Sequence, residues 1–438
     1  MNQSNKHDNL NVLIVADNAS ARFGGEAILP LHYFRFMIER QINVRLLVHE
    51  RCKNELFELF PNQKDRIHFV PDTKVHRLFW KLGDYFPYRI RNFTFDLVGS
   101  LLTQFMQRKI AKKLIEQFNI NILHQPIPVS PKQPSMMFNL DSDNQTKIII
   151  GPMNGGMDYP SAFKKQSNRK RAIETVFIDS ARLCSSYANV LIPGKRRADL
   201  LLVTNQRTHD ALPSSVKHDE QARILHMHEN AVIPEHWPAI DWNERLEPAK
   251  HNNHPRVKAV FLGRLQYLKA VDTLIDAIHK LDDDVYVKLD VIGDGEAKSN
   301  LEKQTDQLNL ADQIRFHGFV PQTQCASLIK NADVLVLPSI HECGGAVVLE
   351  AMCMQLPVIV ADWGGPADYV TPECGFRISV ESRDTLVNGI ANALKQLAEN
   401  PSLREKLGHA GRERVLEHFN WPIKIDRMLE IYQQQLQQ

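Results

Sequence analysis

The sequence predicts an α/β protein built from two doubly wound, Rossmann-like domains facing across a cleft. Three observations lead there. Short, continuously apolar runs rich in β-branched residues alternate with helical stretches, as in a parallel sheet covered on both faces. The alternation stops near the middle of the chain and then restarts. The length, 438 residues, exceeds what one hydrophobic core usually supports.

In the first half, NVLIVAD (Asn11 to Asp17) reads as a strand ending at a loop that contains Gly24 and Gly25, with a helix following to about Arg40. NVRLLVHE (Asn43 to Glu50) repeats the strand pattern, as do NILHQPI (Asn121 to Ile127), TKIIIG (Thr146 to Gly151) and LLLVTN (Leu200 to Asn205). From Glu235 to Arg256 the periodicity is lost and proline and polar residues gather, the composition of a linker. Alternation resumes with VKAVFLGR (Val257 to Arg264), YVKLDVIGDG (Tyr286 to Gly295), QIRFHGFV and DVLVLPS (Asp333 to Ser339). The expected organisation is an N-terminal domain over 1–234, a linker over 235–256, a C-terminal domain over 257–415 and a polar helix over 416–438 that packs back on the first half.

Composition narrows the function. The 53 basic and 51 acidic side chains leave a net charge of +2, so no overall field draws the protein to nucleic acid. Six cysteines (Cys52, Cys184, Cys325, Cys343, Cys353, Cys374) form no CxxC pair, which reads as reduced thiols in a cytoplasmic protein and not as a structural zinc site. The polar first ten residues and the absence of an apolar run near the ~18 residues of a membrane helix predict a soluble protein without a signal peptide.

The most informative passage is DVLVLPSIHECGGAVVLEAMCMQLPVIV, a strand, a glycine-bearing loop, a helix and a second strand. Ligands of such sheets bind at the carboxyl ends of the strands. Gly344 and Gly345 let backbone N–H groups at the helix start approach a phosphate, where the helix dipole favours negative charge. Glu350 is then placed to accept the ribose hydroxyls and Glu342 to face the sugar. Two glutamates eight apart also describe a solvated helix face, but the apolar setting of Glu350 in GAVVLEAM is a poor one for a merely solvated charge. In FLGRLQYLK, Arg264 follows a strand and Lys269 comes five residues later; two fixed cations stabilise a departing diphosphate without a metal. Alone, they are equally two surface cations.

Weaker signals accompany these. The Gly24 and Gly25 pair matches no GxGxxG pattern, and a lone His124 is more often a satisfied core residue than a functional one. The Asp141 and Asp143 triplet sits in a polar turn, NLDSDNQ, and reads as a solvated loop. No histidine and carboxylate cluster suggests a metal, so neither metal nor other cofactor is expected. The stretch from His76 to Lys113 mixes aromatic residues (Phe79, Trp80, Tyr85, Phe86, Tyr88, Phe93, Phe95, Phe105) with many lysines and arginines. It describes either packed helices of the first domain or a surface that lies on an anionic membrane. A second basic cluster, KKQSNRKR (Lys164 to Arg171), is the more plainly exposed.

With these motifs together, the chain resembles glycosyltransferase family 4, retaining enzymes of the GT-B fold. The resemblance covers nearly the whole chain and is strongest in PSIHECGGAVVLEAM, where Glu342 and Glu350 match the E-x7-E pattern, and in GRLQYLK, where Arg264 and Lys269 match the arginine and lysine pair. It implies that Arg264 and Lys269 hold the diphosphate, Glu350 the ribose and Glu342 the donor sugar. It further implies a donor-side role for Gly24 and Gly25, a place for His124 near the transferred sugar, and Asn154, Gly155 and Gly156 facing the cleft. Substrates would be a nucleotide-sugar donor and a glycan or lipid-linked acceptor. Departures are Ala270, Ala231 and Gln355, each where the family usually has glycine, and Cys343 in place of a small or hydroxyl residue. A nucleotide-sugar epimerase and a non-catalytic nucleotide-sugar binding protein are the rival readings. A nicotinamide-dependent dehydrogenase fits less well, because neither half has a GxGxxG turn after its first strand.

Overall fold

The computed structural model describes residues 9–85, 91, 94–141, 143, 145–166, 187–217, 223–242, 250–251, 254–281 and 285–438. The chain divides into two compact units, one of Met1–Gly156, Ser167–Glu229 and Lys424–Gln438 and the other of Met157–Gln166 and Asn230–Ile423. Each is built on a parallel sheet.

In the first unit the strands are β1 (Asn11–Val15), β2 (Asn43–His49), β3 (Ile67–Val70), β4 (Ile122–Gln125), β5 (Lys147–Met153), β6 (Leu200–Val203) and β7 (Ile224–His226). They lie in the order β3-β2-β1-β4-β5-β6-β7, all parallel. Every residue of β4 and β6 is buried, which is why such strands read as unbroken runs without alternation. The helix Phe95–Phe118 covers one face, packing Ala111, Leu114 and Ile115 into a core with Leu13, Val15, Leu123 and Ile150. β3 and β7 are the edge strands and partly exposed, so they lack the continuous apolar signature and the sequence did not announce them.

The second unit has β8 (Lys250–His251), β9 (His254–Leu262), β10 (Tyr286–Ile292), β11 (Ile314–Gly318), β12 (Val334–Leu337), β13 (Val358–Ala361) and β14 (Gly375–Ile378). The parallel order is β11-β10-β9-β12-β13-β14, with β8 antiparallel to the start of β9. In both sheets the winding reverses beside the first long strand, between β1 and β4 and between β9 and β12. Those two points are where ligands enter open α/β sheets.

One segment departs from the expected organisation. Residues 235–242 are not a free linker: Trp237, Ile240 and Trp242 are buried in the second unit's core, and the Trp242 indole N–H donates to the Gln355 carbonyl at 3.2 Å. Isolated aromatic residues among prolines and charges leave no periodic trace. Of the remaining linker, residues 243–249 and 252–253 lie outside the described residues, as do most of the basic cluster from Lys164 to Arg171, Cys184, and Phe86, Tyr88, Arg89 and Phe93. The last helix, Trp421–Leu436, is more than a polar tail: Ile425, Met428, Leu429, Ile431 and Tyr432 are buried, and from Lys424 onward it belongs to the first unit.

Of the three positions where glycine is replaced, two keep the backbone that glycine favours. Ala270 has φ of 50° and Gln355 φ of 66°, whereas Ala231 is not left-handed. A left-handed residue with a Cβ costs about 1–2 kcal/mol, partly offset because glycine loses more entropy on folding. Gln355→Gly is therefore expected to stabilise the protein by about 0.5–1 kcal/mol, a rise of roughly 1–4 °C in melting temperature. Ala270→Gly should gain less, since the Ala270 methyl is buried and its loss cancels much of the benefit. Thermal unfolding of both variants checks the order.

Candidate active site

The loops at the β9/β12 switch point are tied to each other before any side chain is considered. After β9, the Gly263 amide donates to the Ile292 carbonyl at 3.0 Å and the Leu265 amide to Asp294 at 2.9 Å, fixing this loop to the end of β10. A single tight turn, Tyr267–Lys269, then carries the lysine, and the Ile340 amide donates to the Leu268 carbonyl at 3.0 Å. That bond joins the loop after β9 to the loop after β12. As a result Lys269 and Glu342, 73 residues apart in sequence, meet: the ammonium donates to the Glu342 carboxylate, and both side chains are mostly buried.

Burial, and next the Arg264 guanidinium, push the Lys269 ammonium down from 10.5 to about 8, with the Cys343 thiol acting in the opposite direction. Arg264 itself is exposed. Beyond Glu342 the chain turns through Gly345, whose φ is 79°, into the helix Ala346–Cys353. No side chain caps this helix start; the Val348 amide donates to the Gly345 carbonyl at 3.0 Å, and the positive dipole end is open to an anion. Glu350 sits in the second turn, half-buried between the buried Leu349 and Ala351.

A second loop backs the first. The Gly365 amide donates to the Glu342 carbonyl at 2.8 Å, and a Cβ on Gly365 would overlap the Cys343 carbonyl. Three consecutive residues of the Met157–Gln166 segment complete the arrangement. Met157 packs where a Gly364 side chain would stand, the Asp158 carbonyl accepts the Trp363 indole N–H at 2.9 Å, and the Tyr159 ring lies 4.6 Å from that of His341. Sequence reasoning missed Tyr159, His341 and Trp363. The WGGP run was a visible signal for the second loop, but nothing in the sequence tied Tyr159 to a loop some 180 residues later.

The remaining candidates belong to the first unit. Gly24 and Gly25 are exposed in the loop after β1, which the Ser20 amide closes onto the Ala27 carbonyl at 2.9 Å and Glu55 holds through Ser20 and Ala21. His124 ends up fully buried in β4. Its Nε2–H donates to the Gly151 carbonyl at 2.6 Å and its Nδ1 accepts from the Tyr432 hydroxyl at 2.7 Å. Burial lowers its pKa to about 4, against the pull of Gly151, so the ring is neutral near pH 7. Contact with a sugar would require His124 to break one of those two bonds. Asn154 is likewise buried and donates to Glu229 at 2.5 Å. Asp141 caps a turn, accepting the Thr146 amide at 2.7 Å. The expectation of no histidine and carboxylate cluster does not hold, because the fold brings His49, Asp72 and His76 together. Asp72 and His76 are four residues apart, but His49 comes from a separate strand, so the sequence did not bring the three together.

Comparison with known proteins bears on this geometry. Residues 243–414 match the family model described as glycosyl transferases group 1, a span within the second unit that contains Arg264, Lys269, Glu342 and Glu350. Among curated relatives, the D-inositol 3-phosphate glycosyltransferase of Streptomyces avermitilis is 34% identical over 184 residues, covering 40% of this chain and 39% of that protein. An uncharacterised glycosyltransferase of Methanocaldococcus jannaschii is 30% identical over 174 residues, 40% of this chain and 44% of its own. The chain thus spans less than half the length of these relatives. Of solved structures, the sucrose-phosphate synthase of Thermosynechococcus elongatus superposes with a TM-score of 0.63 at 18% identity, covering 97% of this chain and 98% of the other. HepE of Anabaena in complex with UDP gives 0.61 at 14% identity, covering 97% and 100%. The fold is GT-B.

The lowered pKa of Lys269 sets a pH dependence. A diphosphate held against Lys269 would favour the charged ammonium, so if a nucleoside diphosphate binds there its affinity should fall as pH rises through about 8, approaching tenfold per pH unit above it until the pKa of the complex is reached. Lys269→Arg keeps its charge and should flatten the profile. Titration calorimetry between pH 7 and 9.5 measures both.

Proposed function

We propose that the protein is a glycosyltransferase that moves a sugar from a nucleotide-diphosphate sugar to a hydroxyl acceptor, with retention of anomeric configuration and without a metal. The observation that carries this is the Lys269 and Glu342 pair held beside an uncapped, glycine-led helix start at a sheet switch point. The group 1 match over the same segment supports it. So does the binding of UDP and UDP-glucose by HepE of Anabaena, a protein of the same fold.

In this reading the helix start, Arg264 and Lys269 receive the diphosphate, Glu350 accepts the ribose hydroxyls, and Glu342 faces the sugar. Gly24 and Gly25 lie on the donor side. When the anomeric C–O bond breaks, the electron pair leaves with the diphosphate, whose growing charge the two cations stabilise. The sugar acquires positive character, which the Glu342 carboxylate favours once the donor has drawn Lys269 away from it. The acceptor hydroxyl attacks from the face that the diphosphate leaves, and its proton passes to the departing phosphate oxygen. No separate general base is needed. His124, neutral and doubly bonded, serves this reading best by holding the end of β4.

The acceptor is proposed to be a glycan or lipid-linked glycan met at a membrane surface, in the synthesis of cell-surface polysaccharide or glycolipid. The helix Lys74–Gly83 exposes Leu78 and Trp80, each 56% accessible, and Tyr85 just beyond it is 86% accessible, with Arg77 and Lys81 alongside. Such a face suits peripheral contact with anionic lipid. No helix among the described residues is long and apolar enough to cross a membrane. The five cysteines among the described residues are free, which fits a cytoplasmic, reducing setting at the inner face of a membrane.

Lys269→Ala and Glu342→Ala are each expected to lower turnover about 100-fold or more, and, because each leaves the other ion without its partner, to lower the unfolding temperature as well; near-normal rates in both would refute the assignment. Thermal stabilisation by UDP, GDP and ADP identifies the base. A nucleotide at 100 times its dissociation constant adds about 2.7 kcal/mol, or roughly 5 °C and more, and Glu350→Ala should abolish that gain. Product analysis distinguishes transfer from epimerisation, which would return an isomeric donor with no acceptor consumed. For the membrane contact, the protein should sediment with anionic vesicles and a Leu78→Ser/Trp80→Ser double variant should not.

A further inference from the structure

The ends of two strands and the start of one helix in the first unit converge on a set of side chains that the proposed transfer does not use. His49 is the last residue of β2, Asp72 follows β3, and His76 lies in the first turn of the helix Lys74–Gly83. One ligand atom from each lies within 4.8 Å of the others. The His49 Nε2 and Asp72 Oδ1 are 3.9 Å apart, and the two imidazole rings are 4.9 Å apart, edge to face. We propose that His49, Asp72 and His76 form a binding site for a divalent transition-metal ion, zinc best matching the ligands, with water as the fourth donor.

An independent observation points the same way. His49 is only 3% exposed, yet its Nε2 has no hydrogen-bond partner. A buried polar atom in that state is costly unless something satisfies it. At 3.9 Å the Asp72 carboxylate is too far for a hydrogen bond, while an ion between them would bind both. Two imidazoles, one carboxylate and an open position are a common zinc donor set.

The surrounding groups suit coordination. The Arg77 guanidinium holds Asp72 Oδ2 at 3.0 Å and leaves Oδ1 facing His49. His76 has a threonine hydroxyl at each ring nitrogen, Thr73 at 2.9 Å from Nδ1 and Thr103 at 3.2 Å from Nε2. The Thr73 backbone amide also donates to Nδ1 at 3.3 Å, so the proton of the neutral ring sits on Nε2; a metal taking Nδ1 in place of that amide leaves Nε2–H donating to the Thr103 hydroxyl, which itself donates to the Gly99 carbonyl, the outer partner that metal-bound histidines require. His49 gives up one long bond, the Arg51 amide at 3.2 Å to Nδ1, as its proton moves from Nε2. Bound metal would pin the helix Lys74–Gly83, with its exposed Leu78 and Trp80, to the ends of β2 and β3.

The test uses the untagged full-length chain, freed of metal by a chelator and then titrated with zinc chloride, with cobalt(II) as the spectroscopic probe. One zinc per chain is expected, together with the intense visible absorption of four-coordinate cobalt. Asp72→Asn, which preserves shape at a partly exposed position, and His49→Gln should each weaken zinc about tenfold or more and bleach the cobalt spectrum. Their metal-free unfolding temperatures should match wild type. Absence of zinc uptake and of a cobalt spectrum in the wild type overturns the proposal. So does unchanged affinity in both variants, which would place the ion elsewhere.

Discussion

A lysine ammonium and a glutamate carboxylate, both mostly out of water, hold each other where β9 and β12 part. Neither ion would be stable there alone, because stripping water from a charge costs more than a single hydrogen bond returns. The two loops must therefore keep the pair in register, and the backbone shows how they do. Leu268 is bonded to Ile340, and Glu342 to Gly365. A ligand that brings its own phosphates and hydroxyls takes over both partners of the pair at once. In the proposed transfer the pair is then a placeholder for the donor as well as a structural clasp.

Repetition of one winding scheme puts comparable loops at comparable places in the two units. Both sheets reverse beside their first long strand, and the candidate residues follow: Gly24, Gly25 and His124 near the β1/β4 reversal, Arg264, Lys269 and Glu342 near that of β9 and β12. The two sites are not alike in chemistry. In the second unit the charges face an open helix start. In the first, polar groups turn inward: the Lys424 ammonium donates to the Glu229 carbonyl, the Glu229 carboxylate accepts from Asn154 and Thr204, and Tyr432 donates to His124. Burial alone pushes the Lys424 ammonium to about 7, with Glu229 the opposing influence. The last helix thus adds Lys424 and Tyr432 to the interior polar groups of the first unit.

Much of this was legible in the chain itself. Strands buried on both faces tend to be apolar runs, so β1, β6, β12 and the apolar parts of β4 and β9 could be read directly, and their alternation with helices indicated the fold class. The glycine-led helix with Glu342 and Glu350, and the strand end with Arg264 and Lys269, were legible because local geometry at a strand-to-helix turn demands those residue types. Left-handed backbone at Gln355 and Ala270 persists although the glycines are gone, since the turn is imposed by the elements on either side.

Tertiary structure decided what depends on distance along the chain. Sequence offers no means of pairing Lys269 with Glu342, Tyr159 with His341, or His49 with Asp72 and His76, because no local pattern encodes a contact across tens or hundreds of residues. It also misjudged Trp237 and Trp242, where single large side chains are buried by neighbours distant in sequence and leave no period to detect. Identity of the elements was set by short-range apolar patterning; the partner of each charged group was set by how the loops of the parallel strands came together at their carboxyl ends.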